Sequence, residues 1–215
     1  MIRVVIADDH TILREGLRQL LGSADDIDVV GEAGDGHEVM ARVRNDEFDV
    51  LLLDMSMPGR SGIELIKLVK SERPKLRVLV LSMHEEHQYA VRAIKAGASG
   101  YVTKDSAATQ LVSAIRKVAA GGAFITAEVA EQLALGAMPD ADGPLHSKLS
   151  DREYEVFQLL VAGVSVTDIG TRLNLSAKTV STHKARLMEK LGIENQADLV
   201  RYSMRHRLSD DKGAS

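Results

Sequence analysis

Val50-Leu51-Leu52-Leu53-Asp54-Met55-Ser56-Met57-Pro58-Gly59 is the stretch on which the fold turns. Four apolar residues run without alternation, end on a carboxylate, and are followed by a proline and a glycine that break the chain. A short unbroken apolar run is the pattern of a strand whose sheet is covered on both faces, as in a parallel sheet. Working outward, Val4 to Ala7, Val29 to Glu32, Val78 to Leu81 and Gly100 to Val102 read the same way. Amphipathic segments of helical length lie between them. In Gly62 to Val69, for example, Ile63, Leu65, Ile66 and Val69 fall on one face, and Thr11 to Leu21 is a second such segment.

Five strands alternating with helices predict a doubly wound parallel sheet of flavodoxin-like order, over residues 1–120. Beyond Val118 the pattern breaks at Ala119-Ala120-Gly121-Gly122, and residues 121–147 read as a linker carrying a short helix, Ala127 to Leu135. The density of glycine, proline and aspartate over residues 136 to 146 excludes a regular element there. A second domain is expected over residues 148–215. Ser150 with Glu153 forms a capping box ahead of Tyr154, Phe157, Leu160 and Val161; Ser165 with Asp168 starts a second helix burying Ile169 and Leu173. Ser176 starts a third after a turn at Asn174-Leu175, with Val180, Leu187 and Leu191 on its inner face, and Gln196 to Met204 supplies a fourth. The tail is therefore a small all-α unit.

Composition narrows the function. The chain has 215 residues, 45% of them apolar and 27% charged, the profile of an ordinary globular protein. Its longest apolar runs fall far short of the ~20 residues of a membrane span, and an acidic pair interrupts the N-terminus too early for a secretory signal. These features predict a cytoplasmic protein without a membrane partner. The absence of cysteine excludes disulfides, zinc-thiolate sites and thiol catalysis. The net charge of −4 is uneven: residues 1–145 carry 16 basic and 22 acidic side chains, and residues 146–215 carry 11 and 9. A mildly basic tail hints at a polyanion, although such a run also serves as a solvated face.

In an open parallel sheet, residues beyond the carboxyl ends of the strands gather on one edge. Here that edge receives Asp8 and Asp9, Asp54, Ser82 and Lys104. The first and third strands are neighbours in the expected order, so three carboxylates share one crevice. Such crowding is unfavourable without a cation, and an oxygen-only set suits Mg²⁺. A carboxylate nucleophile, a divalent metal, a lysine and a hydroxyl around one point are the requirements for receiving a phosphoryl group. Each residue taken alone has an ordinary alternative: an Asp pair after a strand caps helices, and Ser82 or Lys104 can lie on any surface. His84-Glu85-Glu86-His87 lacks the four-residue histidine spacing of a zincin, and Gly31, Gly34 and Gly36 run in the wrong order for a dinucleotide fingerprint.

In the tail, two short helices joined by a tight turn are a common device for placing side chains in the DNA major groove. The second holds Lys178, Lys184, Arg186 and Lys190 against Glu189 alone, with Thr179, Ser181 and Thr182 near its start. Basic residues there suit phosphates, and the hydroxyls lie where base edges are in reach.

Ala7-Asp8-Asp9, Leu53-Asp54-Met55-Ser56-Met57-Pro58-Gly59 with Gly62, Ser82, and Tyr101-Val102-Thr103-Lys104 resemble the receiver domain of two-component response regulators. Leu149-Ser150-x-Arg152-Glu153, Leu159-Leu160-x-x-Gly163, Asp168-Ile169-Gly170, Leu175-Ser176-x-Lys178-Thr179-Val180, His183 and Lys190-Leu191-Gly192 resemble the LuxR-type tail of the NarL/FixJ family. The resemblance implies that Asp54 is the phosphoacceptor; that Asp9, Asp54 and the Ser56 backbone carbonyl ligate Mg²⁺ with Asp8 assisting; that Lys104 pairs with the acyl phosphate; and that Ser82 and Tyr101 form the switch. It also implies a sensor histidine kinase as donor, promoter DNA and RNA polymerase as partners, and a homodimer on activation. The expected protein is then a phosphorylation-controlled transcriptional regulator and not an enzyme beyond slow self-dephosphorylation. DNA contacts are expected from Lys178, Thr179, Ser181, Thr182, His183, Lys184, Arg186 and Lys190, with His183 packed or phosphate-facing. Three positions depart from the family: Gly170 stands where alanine is usual, Ser181 where a basic residue is common, and Lys184 where an apolar residue is common. Two other readings use the same residues, a Mg²⁺-dependent phosphatase and a DNA binder indifferent to phosphorylation.

Overall fold

The computed structural model describes residues 1–57, 62–82, 87–135, 144–206 and 208. The chain divides into two compact units, residues 1–131 and 132–215. The proline-glycine turn after Met57, His84-Glu85-Glu86 and most of the 136–146 segment lie outside the described residues.

The first unit is the expected five-stranded parallel sheet: β1 (Ile2–Ala7), β2 (Ile27–Ala33), β3 (Val50–Asp54), β4 (Arg77–Ser82) and β5 (Gly100–Thr103), in the order β2-β1-β3-β4-β5. The interleaved helices are α1 (Thr11–Gly22), α2 (Gly36–Asn45), α3 (Gly62–Glu72), α4 (His87–Lys95) and α5 (Ala107–Ala119). The unbroken apolar runs have the predicted cause. Along a strand alternate residues face opposite ways, and in β1, β3, β4 and β5 both sets are largely buried, whereas the edge strand β2 is partly open. Val4, Ile6, Val50, Leu52, Leu79, Leu81 and Val102 pack with Leu17 and Leu21 of α1 and Leu111, Ile115 and Val118 of α5. The other set, Val5, Leu51, Leu53, Val78 and Val80, is equally buried.

The pairing of β1 with β2 shifts register between Val4 and Val5, where Val30 of β2 is the extra residue, and beyond the shift Ala7 stands level with both Ala33 and Leu53. Asp8 therefore emerges beside Asp54, the last residue of β3. On the other side Asp54 pairs with Leu81 and Ser82 with Thr103, which brings the ends of β4 and β5 to the same edge.

After α5 the chain returns to the sheet. Phe124 makes a bridge to Gly100, accepts a hydrogen bond from Tyr101 N–H at 2.9 Å and donates one to the Ser99 carbonyl at 3.1 Å. The sequence gives little sign of this contact, because residues 121–126 have no strand pattern. Helix α6 (Ala127–Leu135) follows.

The second unit contains a 3-10 turn (Leu145–Lys148) and helices α7 (Asp151–Val161), α8 (Val166–Leu173), α9 (Ala177–Leu191) and α10 (Gln196–Arg205). Its starts are set by capping: Ser150 with Glu153 completes the box, and Ser165, Ser176 and Asn195 each accept from a backbone N–H three residues on. Asn174 ends α8 in the left-handed region at φ 53°, and Gly192 ends α9 at φ 65°. Tyr154, Phe157, Leu160, Ile169, Val180, Leu187, Leu191 and Leu199 form its core. Val161, expected in that core, lies at its margin.

Candidate phosphoacceptor site and DNA-binding helix

Asp54 and Asp8 are each only 1% exposed, whereas Asp9 stays open to solvent. Lys104 Nζ reaches both buried carboxylates, 2.7 Å from Asp8 Oδ2 and 3.0 Å from Asp54 Oδ2. Its position is fixed by the strand ends, since Lys104 N–H donates to the Ser82 carbonyl at 2.7 Å. The Ser56 N–H approaches Asp54 Oδ1 at 3.3 Å, so the turn after β3 folds back over the carboxylate. Burial pushes the Asp54 carboxyl above the usual carboxylate range; Lys104 pulls it down and Asp8 pushes it up again. Burial also opposes the charge on Lys104, but the two carboxylates outweigh it and hold the ammonium above its ordinary value.

Three residues stabilise this edge from α1 and β2. Arg14 donates to the Asp8 carbonyl at 2.6 Å while its Nε bonds Glu32 at 3.0 Å, which anchors the turn after β1. His10 N–H donates to Asp8 Oδ1 at 2.7 Å, and the His10 ring lies over Asp8 and Asp9. Sequence reasoning missed Arg14 and His10. The signal for His10 was its place directly after the acidic pair; Arg14 shows only as one basic residue on a helix.

The donor set fits a hard divalent cation. Asp8, Asp9, His10 and Asp54 each place a ligand atom within 4.8 Å of the others, and the buried Asp54 Oδ2 has an ammonium nearby but no well-directed hydrogen bond among the described residues. Removing two carboxylates from water against one lysine leaves excess negative charge, which an ion at this edge would offset. Ser82 is fully buried at the end of β4, and Tyr101 is 8% exposed, in a groove with Ala90, Thr103, Gln110 and Phe124.

On α9, the exposed side chains Lys178, Ser181, Thr182 and Arg186 recur at helical spacing opposite buried Val180, Leu187 and Leu191. The other expected contacts have neighbours within the unit. Thr179 Oγ1 lies 2.8 Å from the capping Ser176 hydroxyl, Lys184 Nζ donates to Gln196 at 3.3 Å, and Lys190 Nζ pairs with Glu153 at 2.6 Å. His183 is half-buried, and burial together with Arg152 and Arg186 pulls its pKa below the ordinary histidine value, with Glu153 opposing. Gly170 has a packing reason. A Cβ there would stand 2.7 Å from the Leu175 carbonyl oxygen, so the turn approaches α8 more closely than a side chain permits.

A doubly wound domain with a buried aspartate, a paired lysine and further carboxylates at its switch edge, joined to a helix-turn-helix, defines a receiver protein with a DNA-reading tail. Comparison with known proteins specifies the class. Residues 4–116 match the family described as response regulator receiver domain, and residues 147–203 match bacterial regulatory proteins, luxR family. The chain is 35% identical over 209 residues to Response regulator UvrY of Escherichia coli K12, covering 97% of this chain and 96% of that one. It is 36% identical over 211 residues to Response regulator GacA of Pseudomonas viridiflava, covering 98% and 99%. Among solved structures, the RcsB response regulator of Salmonella typhimurium matches with a TM-score of 0.75 at 32% identity, over 97% of this chain and 98% of that one. RcsB of Salmonella enterica serovar Typhimurium, solved on a promoter with the phosphomimetic BeF₃⁻, matches at 0.69 and 33%, over 94% and 98%. The chain belongs to the response regulators of the NarL/FixJ family.

Proposed function

We propose that Asp54 accepts a phosphoryl group from a sensor histidine kinase, or from a small acyl phosphate, and that this controls promoter binding by α9. The observation that carries the reading is the buried Asp54 carboxylate between Lys104, Asp8 and the end of β4. In this reading Asp9, Asp54 and the Ser56 carbonyl would hold Mg²⁺, with Asp8 assisting; the grouping of Asp8, Asp9 and Asp54 supports it. When bound, the ion offsets charge on the transferring phosphoryl oxygens.

The residues of the chain do the rest. The Asp54 oxygen attacks phosphorus as the donor's bond to phosphorus breaks. Lys104, already charged and positioned, meets the new oxygens, and the Ser82 hydroxyl adds a hydrogen bond from the neighbouring strand. The phosphoryl group brings nearly two negative charges into a site that burial already makes unfavourable for one. The shift of Ser82 and Tyr101 that accommodates them biases one face of the receiver toward self-association. Two tails then reach paired half-sites, with Lys178 and Arg186 on phosphates and Ser181 and Thr182 toward base edges; Thr179, His183, Lys184 and Lys190 support the helix and its phosphate contacts. The same reading makes the protein cytoplasmic, a partner of RNA polymerase, and a catalyst of nothing beyond slow loss of its own phosphoryl group. It treats residues 1–120 as the receiver, 121–147 as the linker with its short helix, and 148–215 as the DNA-binding domain.

The test is acetyl phosphate with Mg²⁺, read by intact mass. The wild type gains the mass of one phosphoryl group and Asp54→Asn gains none. A variant that labels like the wild type removes Asp54 from the role.

A further inference from the structure

We propose that His10 sets the metal specificity of the acidic edge: its ring nitrogen Nδ1 completes a mixed nitrogen–oxygen set with Asp8 and Asp9 that accepts late first-row divalent cations such as Ni²⁺, Co²⁺ or Zn²⁺ in competition with Mg²⁺. This rests on the reading above that the edge holds a divalent cation.

Three observations carry it. His10 occupies the N-cap position of α1 yet makes no side-chain capping bond. Its ring turns back instead, with Nδ1 2.9 Å from Asp9 Oδ1 and 3.1 Å from Asp8 Oδ1. In the absence of an ion a single Nδ1–H is at most shared between the two oxygens, a weaker bond to each than an undivided one. Two donor atoms that are neighbours in an octahedral shell of ~2.1 Å bonds are separated by about 3 Å, so both distances have the length of a coordination edge. Finally, a ring nitrogen of His10 belongs to the same cluster of ligand atoms as Asp8, Asp9 and Asp54.

One backbone and one side-chain hydrogen bond hold the Asp8–His10 turn independently of any ion. His10 N–H bonds Asp8 Oδ1 at 2.7 Å, and Arg14 fixes the Asp8 carbonyl at 2.6 Å. The His10 side chain is 65% exposed, so an ion reaches it from solvent without unfolding the edge. Imidazole is a poor ligand for Mg²⁺, which prefers oxygen and retains water, and a good one for nickel, cobalt and zinc. A hard site is thereby given one borderline donor. Magnesium uses the oxygens and leaves the ring aside, whereas a later metal uses both.

The experiment compares the untagged full-length wild type with His10→Ala and His10→Gln by titration calorimetry. Mg²⁺ and Ni²⁺ are the probes, and Ni²⁺ binding is taken as the component that excess Mg²⁺ displaces. The expected result is a Mg²⁺ dissociation constant changed by no more than about twofold, with Ni²⁺ weakened about tenfold or more in both variants. The visible bands of bound Co²⁺ should move as the nitrogen donor is lost. An unchanged Ni²⁺-to-Mg²⁺ ratio with Mg²⁺ still bound overturns the role of His10 and leaves the magnesium site intact. Failure of the wild type to bind Mg²⁺ at all overturns the reading on which the role depends.

Discussion

Asp54 is held in a state that the fold itself disfavours. Its carboxyl is buried and pushed up in pKa, with Lys104 offsetting only part of that cost. A buried group whose charge is disfavoured opposes folding whenever it is ionised. Asp54→Asn is therefore expected to raise the melting temperature in EDTA by a few degrees, the size of a ~1 kcal/mol change in a domain this large. Mg²⁺ should reverse the ranking. An ion at a hundred times its dissociation constant stabilises by about 2.7 kcal/mol, and the variant has lost a ligand. Thermal melts with EDTA and with Mg²⁺ check both. Equal melting temperatures in EDTA and equal gains from Mg²⁺ would contradict this account. At this scale the sequence was informative about identity but not about environment. The Asp8-Asp9 pair and Asp54 were visible as strand-end carboxylates. That Asp8 and Asp54 are buried while Asp9 is open depends on Lys104, ninety-six residues away, and on the Arg14 anchor.

At the scale of elements, strand ends and caps were the most readable features. The inner strands were visible because burial on both faces leaves an unbroken apolar run, the edge strand β2 showed only through Val29-Val30, and Ser150, Ser165 and Ser176 marked helix starts because a hydroxyl there satisfies a free backbone N–H. What the sequence hid were contacts between distant backbones. The bridge from Phe124 to Gly100 is one. The approach of the Leu175 carbonyl to Gly170 is another, and it inverts an expectation. By helix propensity Gly170→Ala should stabilise α8 by about 1 kcal/mol. With the turn in the way, that gain is expected to vanish or become a loss, read as an unchanged or lowered denaturant midpoint. A full gain would show that the turn yields freely. The Glu153–Lys190 pair joins α7 to α9 and gives a pH signature. Burial works against the Glu153 charge, but Lys190 and the Ser150 cap outweigh it and lower the carboxyl below its usual range. Such a group adds stability that is present above the ordinary glutamate value and is lost as pH falls through the lower folded value. Between neutral pH and about pH 3, wild-type protein should lose more stability than Glu153→Gln; parallel curves would remove the pair as a contributor.

For the whole molecule, the legible part was the order of its parts: an acidic parallel-sheet unit, a proline- and glycine-rich connection, and a mildly basic helical unit. The charge count alone could not decide whether the basic residues of α9 were a solvated face or a binding face, and the structure shows why. Lys190 and Lys184 are engaged within the unit, and Lys178 and Arg186 point outward. Coupling between the two units is the central claim, and it requires only about 1 to 3 kcal/mol, a change of roughly 5- to 150-fold in affinity. The most direct measurement is the affinity of the full-length protein for a DNA site recovered by selection from fragmented genomic DNA, with Mg²⁺ and with or without beryllium fluoride as phosphoryl mimic. The account predicts at least fivefold tighter binding by the wild type with the mimic and no response from Asp54→Asn. Equal affinity of the wild type under both conditions would contradict it.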